Sequence, residues 1–216
     1  MVPGKIRIHH TGFCKLRPLP ASLMAIVSLL ACHGCLAPKP VHPPAADLRA
    51  RQTDAMLEKV IQLGRNGDWL VIRGYHSTDQ LVAAATRTPL SHVAVLDMEK
   101  RQVIEAEGKG VHTTPLRAFV DKAHRLLLIR PIWAQKPGAG QEAVAVARKL
   151  VGMPYDFLGT VGLDHPHSYY CSELAVKVYK NFITEDDKLP NVMEPGQMYL
   201  WGTILYDSRP RKSGRD

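Results

Sequence analysis

The chain has 216 residues, of which 45% are hydrophobic and 22% are charged, so it can bury one globular core and is not a disordered protein. The formal net charge is +8. Half of that surplus stands before Cys32, where no acidic residue accompanies Lys5, Arg7, Lys15 and Arg17. The +4 that remains, without basic clusters interleaved with aromatic residues, argues against a nucleic-acid-binding protein.

The first 31 residues have the pattern of a signal peptide. The apolar run at 21–31 is shorter than the roughly 20 residues that span a bilayer. It ends in a sequence that resembles a bacterial lipobox, Leu29-Leu30-Ala31-Cys32, which predicts cleavage after Ala31 and a lipid anchor on Cys32. We therefore expect an exported bacterial lipoprotein at the periplasmic face, in the outer membrane if the cell is Gram-negative. Plain secretory cleavage near Ala31 is the alternative.

Composition predicts four parts. A signal peptide (1–31) and a Pro-rich tether (32–45) precede one folded domain (46–208), and a basic tail follows (209–216). Cys171 is the one cysteine of the predicted domain. An exported protein with a single domain thiol has no disulfide within that domain, so the thiol is either buried and inert or reactive.

Hydrophobic periodicity and turn residues predict ten elements within this domain. In chain order they are a helix at 45–63, a strand at 69–73, a helix at 78–86, strands at 92–96 and 102–107, a helix at 116–123, a strand at 126–129, helices at 141–151 and 171–182, and a strand at 203–206. A loop at 152–168 leads into the last helix. The order predicts an α+β domain whose antiparallel sheet packs against helices at one face.

The chemistry of this domain centres on Cys171 at the start of a predicted helix. The helix dipole stabilises a thiolate there, which is one way to prepare a cysteine nucleophile. Such a nucleophile needs an imidazole and a third group that orients the imidazole. If a tight turn joins the two central strands at 99–100, Glu107 lies opposite His92 and Glu105 lies diagonally on the same face. Strand geometry alone lets either carboxylate orient the ring.

Five segments in order resemble the circularly permuted papain-like branch of the NlpC-type cysteine hydrolases, the YiiX-like group. They are Gly67-Asp68-Trp69-Leu70-Val71, Ser91-His92-Val93-Ala94-Val95, Ile104-Glu105-Ala106, Gly152-Met153-Pro154-Tyr155-Asp156 and Tyr170-Cys171-Ser172-Glu173-Leu174. The resemblance covers roughly residues 67–182. In the permuted branch the histidine precedes the acidic residue and the cysteine comes last, as it does here.

The resemblance implies a small antiparallel sheet flanked by helices. It makes Cys171 the nucleophile, His92 the base and acid, and Glu105 the orienting carboxylate, with Tyr155 and Tyr170 as candidate substrate-binding residues. It implies no metal and no other cofactor. Members of the family act on amide or ester bonds, often in cell-wall peptides, and related proteins with the permuted order act on acyl lipids. The expected partners are therefore the membrane, through the lipid anchor, and a peptide or acyl substrate.

Two other interpretations remain open. His165, His167 and Cys171 lie close in sequence, and His112 or His92 could complete a zinc site with them. The protein could also be a catalytically inactive lipoprotein that keeps the cleft for binding.

Overall fold

The computed structural model describes residues 38–163 and 165–211. The predicted signal peptide, the lipobox and its lipidation site Cys32 lie outside the described residues. Within the described part of the chain, no helix has both the length and the apolar character needed to cross a membrane.

The described residues form a six-stranded sheet and five α-helices. In chain order these are α1 (Ala46–Leu63), β1 (Trp69–Gly74), α2 (Ser77–Thr86), β2 (His92–Asp97), β3 (Gln102–Glu107), β4 (Gly110–Pro115), α3 (Leu116–Asp121), β5 (Ala123–Pro131), α4 (Ala139–Leu150), α5 (Cys171–Lys177) and β6 (Gly202–Asp207). Short 3₁₀ segments lie at Ile132–Gln135, Gly159–Val161, Glu185–Asp187 and Pro195–Trp201.

Each of the ten predicted elements is present, but two differences matter for the site. Strand β4 was not predicted, because its threonines and terminal proline carry little apolar alternation. Helix α5 ends at Lys177 and not at Phe182. The apolar residues beyond it are buried for another reason: the Tyr179 ring packs edge-on against Trp69, and its hydroxyl donates to the Gly67 carbonyl.

The sheet has the order β4-β3-β2-β1-β5-β6, and every neighbouring pair is antiparallel. Strands β2 and β3 pair Asp97 with Gln102 and Ala94 with Glu105. The register predicted from a turn at 99–100 is therefore confirmed. It places His92 and Glu105 on one face of the sheet, two positions apart across adjacent strands.

Helices cover both faces of the sheet. On the α4–α5 face, Trp69 and Val71 of β1 pack with apolar residues of α4 and α5. On the α1–α3 face, Leu70 and Ile72 of β1 pack with apolar residues of α1 and α3. The prediction of helices at one face only is wrong, because the central strands are apolar on both sides and must be buried on both.

Gly67, in the turn before β1, gives a test of the packing that positions this strand. Its backbone has φ +85°, and an added Cβ would collide with the Tyr179 hydroxyl and come within 2.8 Å of the Gly140 Cα atom. Gly138 also has positive φ, +77°, but among the described residues no atom beyond its two chain neighbours lies within 4 Å of its Cβ position. A substitution at Gly138 therefore measures the free-energy cost of the left-handed backbone alone, without a steric clash.

We expect Gly138→Ala to lower the free energy of unfolding by about 1–2 kcal/mol, the cost of a left-handed backbone. Gly67→Ala should lower it by about 3 kcal/mol or more, since crowding in a packed core adds to that cost. Urea unfolding of both variants measures the difference. Equal losses would show that the close packing around Gly67 contributes nothing.

Candidate active site

Cys171 and His92 meet where the first turn of α5 reaches the first residue of β2. Their side chains lie close enough for the thiol and the imidazole to interact directly, and each residue is only 8% exposed. The Val93 backbone N–H also donates toward the Cys171 sulfur, and the Ser172 Oγ atom lies 3.7 Å from it. The structure thus brings together the two side chains that sequence analysis paired across almost eighty residues.

Glu105 completes the arrangement on the other side of the imidazole. Its Oε2 atom lies 2.6 Å from the Nε2 atom of His92, and its side chain is fully buried. Because Nε2 contacts Glu105, Nδ1 is the ring nitrogen left to face Cys171. Glu107 lies on the same face, and its side chain is 37% exposed. Of the two carboxylates that the register allowed, Glu105 is the one that contacts His92. We refer to Cys171, His92 and Glu105 together as the triad.

The charges of the triad stabilise one another. Burial disfavours the ionised thiol, but the hydrogen bond and positive charge of His92 outweigh it and lower the pKa of Cys171. Burial also disfavours the imidazolium, but the hydrogen bonds to Cys171 and Glu105, and their negative charges, raise the pKa of His92 to about 10. Both shifts favour a thiolate paired with an imidazolium over a neutral thiol and imidazole.

A second set of side chains surrounds Glu105. The Thr114 hydroxyl donates to its Oε1 atom at 2.5 Å, and the Lys122 Nζ atom lies 2.9 Å from Oε2 and 3.1 Å from Oε1. Burial would raise the pKa of Glu105, but the contacts with His112 and His92 and the charges of His92 and Lys122 hold it far below its ordinary value. The carboxylate is ionised although no part of it is exposed.

Thr114 and Lys122 were not predicted as site residues from the sequence. Thr114 lies on β4, whose run of β-branched residues between Gly110 and Pro115 was the one available signal. Lys122 follows α3 and lacks any such signal, because a lysine after a helix is ordinarily a solvated residue. Tertiary packing brings both side chains to Glu105, and no sequence motif links them to it.

The two tyrosines predicted to bind substrate have different surroundings. Tyr155 is half-buried, and its ring packs edge-on against Phe157 with the centroids 4.7 Å apart. Burial, followed by the negative charge of nearby Cys171, raises the pKa of its hydroxyl. Tyr170 is buried, and its hydroxyl accepts the backbone N–H of Met193 at 3.1 Å. Their roles toward substrate remain predictions.

The loop at 152–168 is held against the edge of the sheet and beside the nucleophile. Met153 accepts the backbone N–H of Val111 on β4, and Pro154 accepts that of Tyr169 just before α5. The buried Asp156 carboxylate accepts the backbone N–H groups of Gly159 and His165. These bonds place Tyr155 at the site.

The histidines of the alternative zinc site are not gathered around Cys171. His165 and His167 are exposed, and the described residues hold no cluster with metal-ligand spacing that contains either of them. The cluster with such spacing in the described part of the chain is His92, Glu105 and Glu107.

The donor set of that cluster fits an ammonium better than a metal ion. The Lys122 Nζ atom lies 2.9 Å from an oxygen of Glu105 and 2.7 Å from one of Glu107, so a lysine already stands between the two carboxylates. His92 is also engaged by Cys171. The geometry is that of a charged lysine neutralising two acids.

Comparisons with known proteins identify the family of the chain. A sequence model of the family described as "permuted papain-like amidase enzyme, YaeF/YiiX, C92 family" matches residues 65–198. A crystal structure of "metalloprotein yiiX" from Escherichia coli O157:H7 is similar, with 27% sequence identity and a TM-score of 0.47. That similarity covers 55% of this chain and 66% of the other, just under two thirds of its length. No curated protein matches the chain significantly. Because the family match spans more than half of the chain, the protein belongs to the C92 family of permuted papain-like amidases.

Proposed function

We propose that this protein is a cysteine hydrolase that cleaves an amide bond through a thioester intermediate on Cys171. The observation that carries the proposal is the continuous contact from Cys171 through His92 to the buried carboxylate of Glu105. A nucleophile, a base and an orienting group within hydrogen-bonding reach are the minimum that acyl transfer requires. Membership of an amidase family supports the same conclusion.

In this mechanism the Cys171 thiolate attacks the amide carbonyl carbon and forms a carbon–sulfur bond. The backbone N–H of Cys171, at the start of α5, receives the oxyanion. The carbonyl reforms as the carbon–nitrogen bond breaks, and His92 donates its proton from Nδ1 to the departing amine. Water then attacks the thioester while His92 accepts a proton, which releases the carboxylic acid and regenerates the thiolate. Glu105 holds the imidazole in the required orientation throughout.

The proposed substrate is a peptide of the bacterial cell wall, and Tyr155 lines the site where it binds. Support comes from the family, from the predicted export of the chain, and from the closeness of Tyr155 to Cys171. Tyr155 offers a ring face and a hydroxyl beside the nucleophile, which suits a substrate with both polar and apolar groups.

One observation favours a second candidate, hydrolysis or transfer of an acyl group of a lipid. The loop that carries Tyr155 exposes four large apolar side chains, namely Phe157, Leu158, Val161 and Leu163. Each is more than half exposed. Exposed apolar side chains on the loop that also carries Tyr155 suit an acyl chain.

Both candidates are tested by incubating the wild-type protein with peptidoglycan fragments and, separately, with phospholipid vesicles. Mass spectrometry identifies the products, and Cys171→Ala serves as the matched control. New amine and carboxylate ends in the peptide with the wild type alone support the amidase. Fatty acid release with the wild type alone supports the lipid hydrolase. Products that form equally with the variant would reject catalysis by Cys171.

We further propose that the chain is a lipoprotein anchored to the membrane through Cys32. The support is the lipobox-like sequence that ends the predicted signal peptide. Labelling with radioactive palmitate in a bacterial host should mark the wild type and Cys35→Ser but not Cys32→Ser. Label retained in Cys32→Ser would contradict the anchor at this position.

A further inference from the structure

Lys122 occupies a partly buried position between two carboxylates of the site. It lies between the end of α3 and the start of β5, and its side chain is 16% exposed. Its Nζ atom contacts both oxygens of Glu105, at 2.9 and 3.1 Å, and Oε1 of Glu107 at 2.7 Å. The ammonium also lies 4.9 Å from the centre of the Phe119 ring. A lysine with so little solvent and so many anionic contacts has a defined electrostatic role.

From this geometry we propose that Lys122 is a positioning residue of the triad, whose ammonium keeps Glu105 ionised and directed at His92 despite the neighbouring Glu107. This inference rests on the proposed function. Lys122 does not touch the sulfur or a reacting carbonyl group. It acts through Glu105.

The need for such a cation follows from the charges present. A thiolate on Cys171 and two carboxylates, Glu105 and Glu107, lie around the single imidazolium of His92. Two nearby carboxylates disfavour each other's ionisation, and the buried one would be the first to take up a proton. A protonated Glu105 would no longer stabilise the imidazolium electrostatically. Lys122 bridges the two acids and removes that conflict.

Other charged and titratable groups also face this cluster. His112 on β4 has its Nε2 atom 3.6 Å from Glu105 and 3.5 Å from Glu107, which is too long for a hydrogen bond. Its Nδ1 atom lies 3.0 Å from the Gly110 carbonyl. Tyr155 approaches from the loop at 152–168 and lies near the Cys171 thiol. These groups stay the same when only Lys122 is changed.

The test replaces Lys122 with methionine, which keeps an apolar stem and removes the charge. Without the ammonium, Glu105 takes up a proton and no longer stabilises the imidazolium of His92, so the thiolate of Cys171 loses the cation that pairs with it. The pH midpoint for alkylation of Cys171 by iodoacetamide should therefore rise, by about one pH unit. The decline of turnover at high pH, which reports deprotonation of His92, should move to lower pH, because a protonated Glu105 no longer stabilises the imidazolium. Lys122→Arg keeps the positive charge, so its pH midpoint for alkylation should lie close to that of the wild type.

Two further variants make the result specific. Lys59→Met, on the exposed side of α1, removes the same charge far from the site and should leave the midpoint unchanged. Glu107→Gln should lower the pH midpoint, because it removes a negative charge near the thiolate. Of the two carboxylates that Lys122 contacts, Glu105 then remains. If Lys122→Met does not fold, Lys122→Gln, which keeps a polar group at this position without the charge, takes its place, and a wild-type midpoint in folded Lys122→Gln would overturn the inference.

Failure of the inference and failure of the proposed function give different results. If wild-type Cys171 reacts no faster than a free thiol, the proposed function fails. If wild-type Cys171 is reactive but its midpoint is the same in folded Lys122→Met, the triad stands and the role of Lys122 is rejected. A loss of activity without a shift in either pH limb would likewise reject the electrostatic role.

Discussion

Replacing Cys171 with alanine is expected to lower amide turnover by a factor of about 10³ to 10⁶, the range found when a nucleophile is removed from a catalytic triad. The reason is that the sulfur is the atom that forms the covalent intermediate. Alanine cannot form a thioester, and neither His92 nor Glu105 is placed to attack a carbonyl in its stead. Turnover by wild type and variant, followed by product mass spectrometry, measures the factor.

The control for this prediction separates loss of the nucleophile from loss of the fold. Cys171→Ala removes one buried sulfur atom and should retain the cooperative unfolding transition of the wild type. Cys35→Ala removes a thiol that lies outside the described residues and should keep full turnover. Turnover that persists in folded Cys171→Ala would place the chemistry elsewhere in the chain.

His92→Ala is expected to have the second largest effect, because it removes the group that stabilises the thiolate. In the wild type, burial opposes ionisation of Cys171 and His92 overcomes it. Without the imidazole, burial is opposed only by the contacts with Ser172 and the Val93 backbone N–H, so the thiol pKa should rise toward the ordinary value of about 8.5. Alkylation of Cys171 near pH 7 should fall about tenfold or more, since one pKa unit is tenfold in thiolate.

Turnover should fall further than alkylation in His92→Ala. Alkylation needs only the thiolate, whereas amide cleavage also needs a proton for the leaving amine, so we expect a loss of about 10³-fold. In the wild type the proton on His92 is retained up to pH about 10, so turnover should decline only above that pH. His76→Ala, at an exposed position before α2, is the matched control. Equal alkylation rates in His92→Ala and the wild type would refute the ion pair.

The fold and the contacts of the triad could be predicted to a large extent from the sequence. A turn at Glu99 and Lys100 fixes the register of β2 and β3, and that register puts His92 near Glu105. Both strands have the apolar period that such a prediction requires. The order of His92, Glu105 and Cys171 along the chain carried the family resemblance, and the family match confirmed it.

The choice between Glu105 and Glu107 could not be derived from strand geometry, because both side chains lie on the same face as His92. It depends on side-chain direction, and on Lys122 and Thr114, which hold Glu105 from outside the motifs. Long-range contacts of this kind leave no periodicity in the sequence. The segment Ile104-Glu105-Ala106, which carries part of the family resemblance, was the one sequence signal that distinguished Glu105 from Glu107.

The second covered face of the sheet escaped prediction for a related reason. Leu70 and Ile72 are as apolar as Trp69 and Val71, so β1 reads as a continuous apolar run without a solvated side. Such a run shows that a strand is buried. It does not show which helices cover each side, because that follows from the path of the chain through α1 and α3.

The central claim is that Cys171 is a thiolate paired with an imidazolium before any substrate binds. The most direct measurement is the rate of iodoacetamide alkylation of the folded wild-type protein as a function of pH, with mass spectrometry assigning the label to Cys171. We predict a midpoint well below the value of about 8.5 for a free thiol. A midpoint at or above that value would show a buried, unpaired thiol and would contradict the account.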